Sequence, residues 1–341
     1  MLSRRQWLAT LGSTIAGWRA LPGLGEVGLV AASPGRRAGH VLVFHGARHG
    51  CCLLGGYQDR VPKEELIWVW NAGWKMDSAS AGAAPFSRAL GAAAYDAKHG
   101  VLHYYGGLTI ATGRPTGEVW SLNSDGRWDI SKEGSPGPRD HHVAVYDARR
   151  ERMVVYGGQD AERHWATDVW EFDVKKWRGA PAPRGAATAP GPGGRAHHAM
   201  AYDSRRGRTV LFGGIGPDGQ HRDETWEWDG AAWTQVTGPG PSARARHRMA
   251  YDAARGMTVL FGGDTGNPAA GQWTLSDETW TWDGASWQKL RPATSPEPRM
   301  MHAMAYDAPK GRIVLYGGTT AAATADDTWE WDGATWKKAG A

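Results

Sequence analysis

A doubled glycine that ends a short apolar stretch recurs six times along the chain, and this recurrence restricts the fold more than any other feature. The pairs are Gly55-Gly56, Gly106-Gly107, Gly157-Gly158, Gly213-Gly214, Gly262-Gly263 and Gly317-Gly318. Their spacing is about 50 residues, which is the length of one supersecondary unit in a repeat architecture. The chain of 341 residues is therefore expected to contain six copies of one unit.

Each copy contains four short segments with the character of β-strands. In the fourth copy, strand a is "HAMAY", strand b is "RTVLFGG", strand c is "TWEW" and strand d begins at "AAW". The a–b link holds an Asp and a Gly, as in "DSRRG", and Asp-Gly joins c to d in four copies. Asp bonds to nearby backbone and Gly tolerates positive φ, so both links favour tight reversals of the chain. Each copy is therefore predicted to be a four-stranded antiparallel meander.

Tryptophan is concentrated in strands c and d, which hold sixteen of the 20 tryptophans. They are Trp68, Trp70, Trp74, Trp120, Trp128, Trp170, Trp177, Trp226, Trp228, Trp233, Trp280, Trp282, Trp287, Trp329, Trp331 and Trp336. One meander leaves both faces exposed, whereas six stacked around an axis bury them, and indoles of roughly 150–250 Å² fill the widening rim. The sequence therefore predicts an all-β fold, a six-bladed β-propeller with four antiparallel strands per blade.

The pattern within each copy resembles the kelch repeat. A double glycine is followed about a dozen residues later by an aromatic residue and then by a tryptophan. The form "MAYD…GR.VLFGG…DTWEWDG..W" is similar to bacterial kelch proteins related to the central domain of galactose oxidase. This resemblance covers residues 36–341 and implies a six-bladed kelch propeller. The blades span about residues 37–80, 88–130, 139–179, 195–236, 244–290 and 299–341.

The N-terminal segment, residues 1–32, is predicted to be a signal peptide rather than part of the propeller. Arg4 and Arg5 precede Trp7, Leu8 and a short, weakly apolar stretch, which resembles a twin-arginine export signal. An ordinary basic N-terminus is the alternative. Export would place the folded protein in the periplasm or outside the cell. No uninterrupted apolar run is long enough to span a membrane, so no transmembrane segment is expected.

The two ends of the repeat raise the question of how the ring closes. Kelch propellers usually complete one blade with strands from both ends of the chain. Here the first copy begins with strand a, and the last copy ends with strand d at Ala341. Unless "EVGLVAA" before Ser33 forms an extra strand, closure is expected to depend on packing alone.

The meander predicts two different faces. Because strand direction alternates, the d–a and b–c loops share one face, here called the loop face, and the a–b and c–d turns share the turn face. The loop face has long, varied segments, among them 178–197 and 264–279. Variable loops on a rigid scaffold are the usual location of binding residues. A ligand site is therefore predicted on the loop face.

Basic residues recur where strand a begins, on the loop face and near the axis. Every copy has an arginine seven positions before the aromatic residue of strand a, at Arg37, Arg88, Arg139, Arg195, Arg244 and Arg299. Five copies have a histidine four positions before it, at His40, His142, His198, His247 and His302. One interpretation is an anion-attracting funnel, since guanidinium forks match carboxylate, sulfate and phosphate oxygens. Its ligand contacts would be Arg139, Arg195, Arg244, Arg299, His198 and His302.

The second interpretation gives the same residues a structural role. An acidic residue stands just before the first tryptophan of strand c in every copy, at Glu65, Glu118, Asp168, Glu224, Glu278 and Asp327. Each arginine would then form an ion pair within its own blade, because a site for one small ligand rarely needs six equivalent arginines. The histidines would make a repeated contact at the start of the strand, and no metal site is expected from them.

Three further residues on the loop face depart from the repeat. Trp165 and Trp273 lie in b–c loops and are candidate ligand anchors, with packing beneath the loop as the alternative. Arg114, in "ATGRPTG", is a third candidate, with a solvated loop charge as the alternative.

Composition and motifs argue against several functional classes. The net charge of +4 comes without a clustered basic stripe, so nucleic-acid binding is not expected. The family resemblance raises a copper-radical oxidase, which needs a Tyr cross-linked to Cys, two His ligands and a second Tyr. The only cysteines are Cys51 and Cys52, on strand b of the first copy, and no tyrosine matches a ligand role. No phosphate loop, nucleophile elbow or zinc spacing occurs, so no cofactor or metal is expected.

The predicted function is that of an exported, non-catalytic module that binds a protein or carbohydrate through the loop face. An anionic ligand would suit the basic residues there. The alternative is a cofactor-free carbohydrate-active enzyme, an epimerase or mutarotase acting on an acidic sugar, by analogy with some exported kelch propellers. No residue matches a catalytic motif, so catalytic residues stay unassigned.

Overall fold

β-Strands make up almost all of the regular structure in the computed structural model. The structure describes residues 33–58, 67–77, 85, 87–131, 134–173, 175–179 and 191–340. The predicted signal segment, the segment "EVGLVAA", Glu65 and much of the loop 178–197 lie outside these residues. In the part of the chain that is described, no helix combines the length and hydropathy that a membrane crossing requires.

The described residues of the first three blades contain sixteen strands. Blade 1 has β1 (Arg37–Ala38), β2 (Val41–His45), β3 (Gly50–Leu54), β4 (Tyr57–Gln58), β5 (Ile67–Trp70) and β6 (Trp74–Asp77). Blade 2 has β7 (Arg88–Ala89), β8 (Ala92–Asp96), β9 (Val101–Tyr105), β10 (Leu108–Thr109), β11 (Val119–Leu122) and β12 (Trp128–Ser131). Blade 3 has β13 (Val143–Asp147), β14 (Arg152–Tyr156), β15 (Val169–Phe172) and β16 (Trp177–Gly179).

The remaining strands form blades 4 to 6. Blade 4 has β17 (Ala199–Asp203), β18 (Arg208–Phe212), β19 (Thr225–Trp228) and β20 (Trp233–Val236). Blade 5 has β21 (Arg248–Asp252), β22 (Met257–Phe261), β23 (Thr279–Trp282) and β24 (Trp287–Leu290). Blade 6 has β25 (Arg299–Met300), β26 (Ala303–Asp307), β27 (Arg312–Tyr316), β28 (Thr319–Thr320), β29 (Thr328–Trp331) and β30 (Trp336–Lys338). Short 3₁₀ helices cover Gly46–Arg48 and Pro268–Ala270.

Each blade is a four-stranded antiparallel sheet whose strands follow one another in chain order. The orders are β2-β3-β5-β6, β8-β9-β11-β12, β13-β14-β15-β16, β17-β18-β19-β20, β21-β22-β23-β24 and β26-β27-β29-β30. The first strand of each sheet contacts the first strands of both neighbouring blades, and β2 of blade 1 contacts β26 of blade 6. The six inner strands therefore form a closed ring, which confirms the predicted six-bladed propeller.

Short ladders beside the inner strands were not expected from the sequence. β1 pairs with β4, β7 with β10 and β25 with β28. In the other blades single bridges take their place, such as the one between Ala196 and Ile215. The double glycine explains these pairings, because Gly213 and Gly214 have φ values of 67° and 101° and turn the chain back beside the arginine segment.

Apolar side chains fill the interfaces between neighbouring blades. Between blades 4 and 5, for example, Phe212 and Leu260 pack with Trp282 and Trp287. The tryptophans with 9% exposure or less are Trp68, Trp70, Trp74, Trp177, Trp226, Trp228, Trp233, Trp282, Trp287, Trp331 and Trp336. For these residues, the predicted packing role is confirmed.

The interface between blades 6 and 1 repeats the hydrogen bonds of the other interfaces. The N–H of Gly214 in blade 4 donates to the carbonyl oxygen of Arg244 in blade 5 over 2.9 Å. At the closing interface, Gly318 donates to the carbonyl oxygen of Arg37 over the same distance. The expectation that closure depends on packing alone is therefore wrong, because directional bonds of the repeat itself also join the two ends of the ring.

Gly213→Ala is expected to destabilise the fold much more than Gly219→Ala. Both glycines have positive φ, at 67° and 74°. A Cβ on Gly213 would lie 2.6 Å from the carbonyl oxygen of Arg244, whereas one on Gly219 would meet nothing within 4 Å. Both variants share the backbone strain, but only the first has the steric clash. We expect the free energies of unfolding, from urea denaturation, to differ by about 2 kcal/mol, and equal losses would contradict this contact.

Candidate functional site

The repeated arginines are buried inside the blades and paired with acids. Nη1 of Arg195 donates to the carbonyl oxygen of Gly213 over 2.9 Å, and its Nη2 donates to Glu224 over 3.0 Å. The equivalent ion pairs are Arg88–Glu118, Arg139–Asp168, Arg244–Glu278 and Arg299–Asp327. These contacts confirm the ion pairs predicted for five blades. Arg37 donates to the carbonyl oxygen of Gly55 over 3.1 Å, and its predicted acid lies outside the described residues.

Burial separates these guanidinium groups from solvent. Arg195, Arg244 and Arg299 are 2% exposed or less, and Arg139 is 5% exposed. The open anion-binding funnel requires accessible guanidinium groups around the axis, and these four side chains do not form one. Each instead joins the start of strand a to the double glycine and to strand c of its own blade.

The repeated histidines make neutral contacts between blades. Nε2 of His142 donates to the carbonyl oxygen of Tyr105 in the preceding blade over 3.1 Å, and His40 makes the same bond to Tyr316. Burial, followed by the nearby charge of Arg139, lowers the pKa of His142 to about 3. His198 and His302 are fully buried, with pKa values held well below the ordinary range mainly by burial. Neither imidazole reaches the surface where a ligand was predicted to contact it.

A ring of six backbone hydrogen bonds closes the loop-face end of the channel. Its members follow each repeated arginine by two positions and all have positive φ: Gly39, Leu90, His141, His197, Arg246 and Met301. Each N–H donates to the carbonyl oxygen of the member from the preceding blade, over distances between 2.8 and 3.2 Å. We call this set the mouth ring. The strain of positive φ at five non-glycine residues is held in place by this cyclic network.

The side chains of the mouth ring divide it into two halves. Leu90 and Met301 are buried in an apolar cluster with Ala38 and Ala89. His141, His197 and Arg246 form the other half, over blades 3, 4 and 5. Sequence comparison of the repeats missed this set because its members share a backbone conformation and not a residue type. The one sequence signal of this set is its fixed position, two residues after each repeated arginine.

Asp140 anchors the polar half of the mouth ring in blade 3. Its carboxylate is fully buried and contacts Nδ1 of His141 and Nη1 of Arg163, the latter at 3.4 Å. The rings of His141 and His197 lie edge to face, with centroids 4.1 Å apart. Burial holds the pKa of His197 well below its ordinary value, as does the charge of neighbouring basic groups.

Asp264, Arg246 and Trp273 form a stack in blade 5. Nη1 of Arg246 lies 3.7 Å from the buried carboxylate of Asp264, and its guanidinium carbon lies 4.5 Å from the ring centroid of Trp273. Burial lowers the pKa of Arg246 to about 10 even though Asp264 favours the charged form. Asp264 also accepts from the N–H groups of Gly266 and Thr274 over 3.0 and 2.9 Å, which fixes the loop that carries Trp273.

Trp273 is the exposed member of this arrangement, with 41% of its surface accessible. We call Asp140, His141, His197, Arg246, Asp264 and Trp273 together the polar mouth. It combines an aromatic surface, imidazole rings and two carboxylate-cation pairs. Trp273 offers an accessible surface for aromatic packing and His197 is partly exposed, whereas the buried Asp140, Asp264 and Arg246 hold these groups in place.

The other two loop-face candidates lie apart from this stack. Trp165 is partly buried and forms a bridge with Gln159 in the b–c loop of blade 3. Arg114 is exposed in the b–c loop of blade 2, where its carbonyl oxygen accepts from the N–H of Thr109. Their predicted contact with a ligand stays a prediction.

One cluster among the described residues has the composition of a metal site. Ligand atoms of Asp160, Glu162 and His164 lie within 4.8 Å of one another. Asp160 already bonds to Nδ1 of His164 at 2.9 Å and accepts from the N–H groups of both Glu162 and His164. These hydrogen bonds are internal to an exposed turn. The expectation that no metal or cofactor is bound stays a prediction.

The two cysteines lie on β3 at full burial. Burial raises the pKa of Cys52 to about 12 and that of Cys51 well above its ordinary value, which keeps both thiols protonated. Because β3 is the second strand of blade 1, both cysteines lie inside the blade and not in the polar mouth.

Residues 124–282 match the family model of the KLHDC2/KLHL20/DRC7 kelch-repeats domain. The chain is 32% identical over 117 residues to dynein regulatory complex subunit 7 of Chlamydomonas reinhardtii, covering 33% of this chain and 10% of that protein. It is 35% identical over 144 residues to multiple epidermal growth factor-like domains protein 8 of Mus musculus, covering 40% and 5%. A solved structure of YjhT superposes with a TM-score of 0.69 at 14% identity, covering 90% of this chain and 98% of that chain.

The chain spans a tenth or less of the length of these curated relatives. The likeness to YjhT, at 14% identity, concerns the fold alone. The six four-stranded blades and the repeated double glycine are consistent with the kelch-repeats match. The chain is a six-bladed β-propeller, and its residues 124–282 match a kelch-repeats domain. Its assignment to the galactose oxidase-like subtype stays a prediction.

Proposed function

We propose that this propeller is a non-catalytic module that binds a protein partner through the polar mouth on its loop face. The observation that carries the proposal is the exposed indole of Trp273, held over the buried guanidinium of Arg246 at 4.5 Å. A large aromatic group that is fixed in place yet accessible loses little entropy on binding, and tryptophan is enriched among energetically dominant contacts.

Two features of the polar mouth favour binding over catalysis. Asp140 is held by His141 and Arg163, and Asp264 is approached by both Arg246 and His221, with Nε2 of His221 at 3.4 Å. A general acid or base needs a carboxyl group that is free to reach a substrate proton. These carboxylates are engaged in orienting their neighbours, which favours the binding function.

The relatives support a protein partner. One carries the name of a subunit of the dynein regulatory complex, so that protein is part of an assembly. Kelch propellers resemble other rigid scaffolds whose variable loops contact partners. The b–c loop of blade 5, with its 3₁₀ helix Pro268–Ala270, is a loop of this kind.

Trp273→Ala is expected to weaken partner binding by about 30-fold or more, while Ile130→Ala leaves it unchanged. Ile130 is the matched control because it is also an exposed apolar residue, at 50%, but lies on the outer strand β12 of blade 2. A photo-reactive residue at position 273 of the full chain, in the cell that produces it, would capture the partner, and one at position 130 would not. The affinity of the purified partner for both variants is then measured by calorimetry. Equal cross-linking at the two positions, or equal affinities, would contradict the proposal.

We also propose that the partner is met outside the cytoplasm. The support is the twin-arginine-like segment around Arg4 and Arg5 in the sequence. Fractionating the same cross-linked cells reports the compartment, and capture confined to the cytoplasm would contradict export without affecting the binding proposal.

A further inference from the structure

The central channel contains one arginine where the other blades have small apolar residues. Arg248 begins β21, and the equivalent residues are Val41, Ala92, Val143, Ala199 and Ala303. Arg248 lines a cavity of about 400 Å³ that the inner strands of all six blades enclose. Its position, two residues after Arg246, places it just below the mouth ring. Among the described residues that line this cavity, Arg248 is the one Arg, Lys, Asp or Glu.

Arg248 has no acidic partner among the described residues. Its Nη1 donates to the carbonyl oxygen of His247 over 3.2 Å, and no described Asp or Glu lines the channel. Burial lowers the pKa of Arg248 to about 10, with no carboxylate acting against it. Arg195 and Arg299 each have a carboxylate of their own blade, whereas Arg248, which is partly exposed, has none among the described residues. A positive charge therefore stands unpaired in the channel.

The charge of Arg248 acts across the axis. Burial is the main cause of the low pKa values of four histidines from four blades, and the charge of Arg248 lowers them further; they are His40, His198, His247 and His302. These imidazoles cannot neutralise it, because they are buried in the neutral form. Nε2–H of His40, for example, is already bonded to the carbonyl oxygen of Tyr316. The tyrosines at the turn-face end are also engaged, as in the bond from the N–H of Ala254 to Tyr306.

We propose that the channel binds an oxyanion, either an inorganic ion or the carboxylate of a ligand, with Arg248 as its charged contact. A partly buried cation on an otherwise apolar channel wall is stabilised when an anion or a hydrogen-bond acceptor accompanies it. The described contacts use one of the five N–H donors of the guanidinium, which leaves a planar fork for two oxygens of an anion. The site lies below the mouth ring and does not depend on the protein-binding function.

Sulfate and sodium acetate test the two sources of this chemistry. The unfolding temperature of the full chain is followed as each salt is raised to about 20 mM, for the natural chain and for Arg248→Met. We expect a saturable rise of about 2–3 °C in the natural chain that Arg248→Met lacks. Arg127→Met, whose side chain is 85% exposed on blade 2, is the matched control and should respond like the natural chain. A response to sulfate alone assigns an inorganic ion, and a response to acetate assigns a carboxylate.

Identical salt responses of the natural chain and Arg248→Met would overturn the proposal. Arg248→Met should fold and, in low salt, unfold at a temperature no lower than that of the natural chain, because it removes an unpaired charge. Crystals of the natural chain grown with selenate provide a second measurement that needs no variant. An anomalous peak beside the guanidinium of Arg248 is expected, and a channel without one would overturn the proposal.

Discussion

Lowering the pH from about 7 to about 5 is expected to reduce the free energy of unfolding steeply. Five repeated histidines have pKa values depressed by burial below the ordinary 6.5: His40, His142, His198, His247 and His302. In the unfolded chain each takes up a proton as the pH falls through its ordinary value, whereas in the folded chain it stays neutral. The unfolded state therefore binds more protons below this pH, and stability falls as the pH falls.

The size of this effect follows from the number of histidines. Each one contributes about 1.4 kcal/mol per pH unit below its ordinary pKa, so even two reduce stability by about 4 kcal/mol at pH 5. Urea denaturation at closely spaced pH values measures the slope. The range from pH 7 to pH 5 lies above the ordinary pKa values of the carboxyl groups, 3.8 and 4.5. The histidines are therefore the main cause of the slope of stability against pH.

Two variants distinguish the contribution of the repeated histidines to this slope from that of an exposed histidine. His302→Gln should make the slope shallower by about one proton, whatever it does to the absolute stability. His164→Gln, in which the replaced side chain is 78% exposed, should leave the slope unchanged. A stability that is flat between neutral pH and pH 5 would show that the repeated histidines are not held in the neutral form.

Arg244→Ala is expected to lower the free energy of unfolding by about 3–5 kcal/mol. Arg244 is fully buried, donates to the carbonyl oxygen of Gly262 over 3.1 Å and pairs with Glu278. Its removal leaves the carbonyl oxygen of Gly262 without this donor and opens a buried space, while Glu278 loses the guanidinium and keeps Trp280 and Lys289 as donors. Urea denaturation at neutral pH measures the change.

Arg208→Ala is the matched control, because it removes an arginine from an ion pair that is exposed at the surface. Arg208 lies 3.3 Å from Asp229, and its side chain is 41% exposed. We expect its loss to change stability by about 0.5 kcal/mol or less, because solvent screens the pair. If Arg244→Ala were equally mild, the repeated arginines would not hold the blades, and a ligand-binding role for them would regain support.

The features that the sequence predicted correctly are those that recur in every blade. The double glycine and the tryptophans of strands c and d each serve one local purpose, so their spacing alone defines the blade. The arginine-acid pairs were predictable for the same reason. In blade 4, for example, Arg195 and Glu224 stand at positions where the other copies also have an arginine and an acid, and the two residues form an ion pair.

The features that the sequence could not show depend on where blades meet. The mouth ring is defined by positive φ and a cyclic set of hydrogen bonds, and residues as different as Leu90 and His141 take part in it. The stack of Trp273 on Arg246 joins a loop to a neighbouring strand start, and no spacing in the repeat encodes it. Closure was misjudged because the bond from Gly318 to Arg37 spans nearly the whole chain.

The central claim is that repeated polar residues hold the blades together and that the non-repeated residues of the polar mouth bind the partner. The most direct test is the affinity of the captured partner for Trp273→Ala and for Arg299→Lys, measured by calorimetry at a temperature where both are folded. We expect Trp273→Ala to lose about 30-fold in affinity, whereas Arg299→Lys, which lacks the fork to Asp327, should bind with unchanged affinity. Unchanged binding by Trp273→Ala together with lost binding by Arg299→Lys would contradict it.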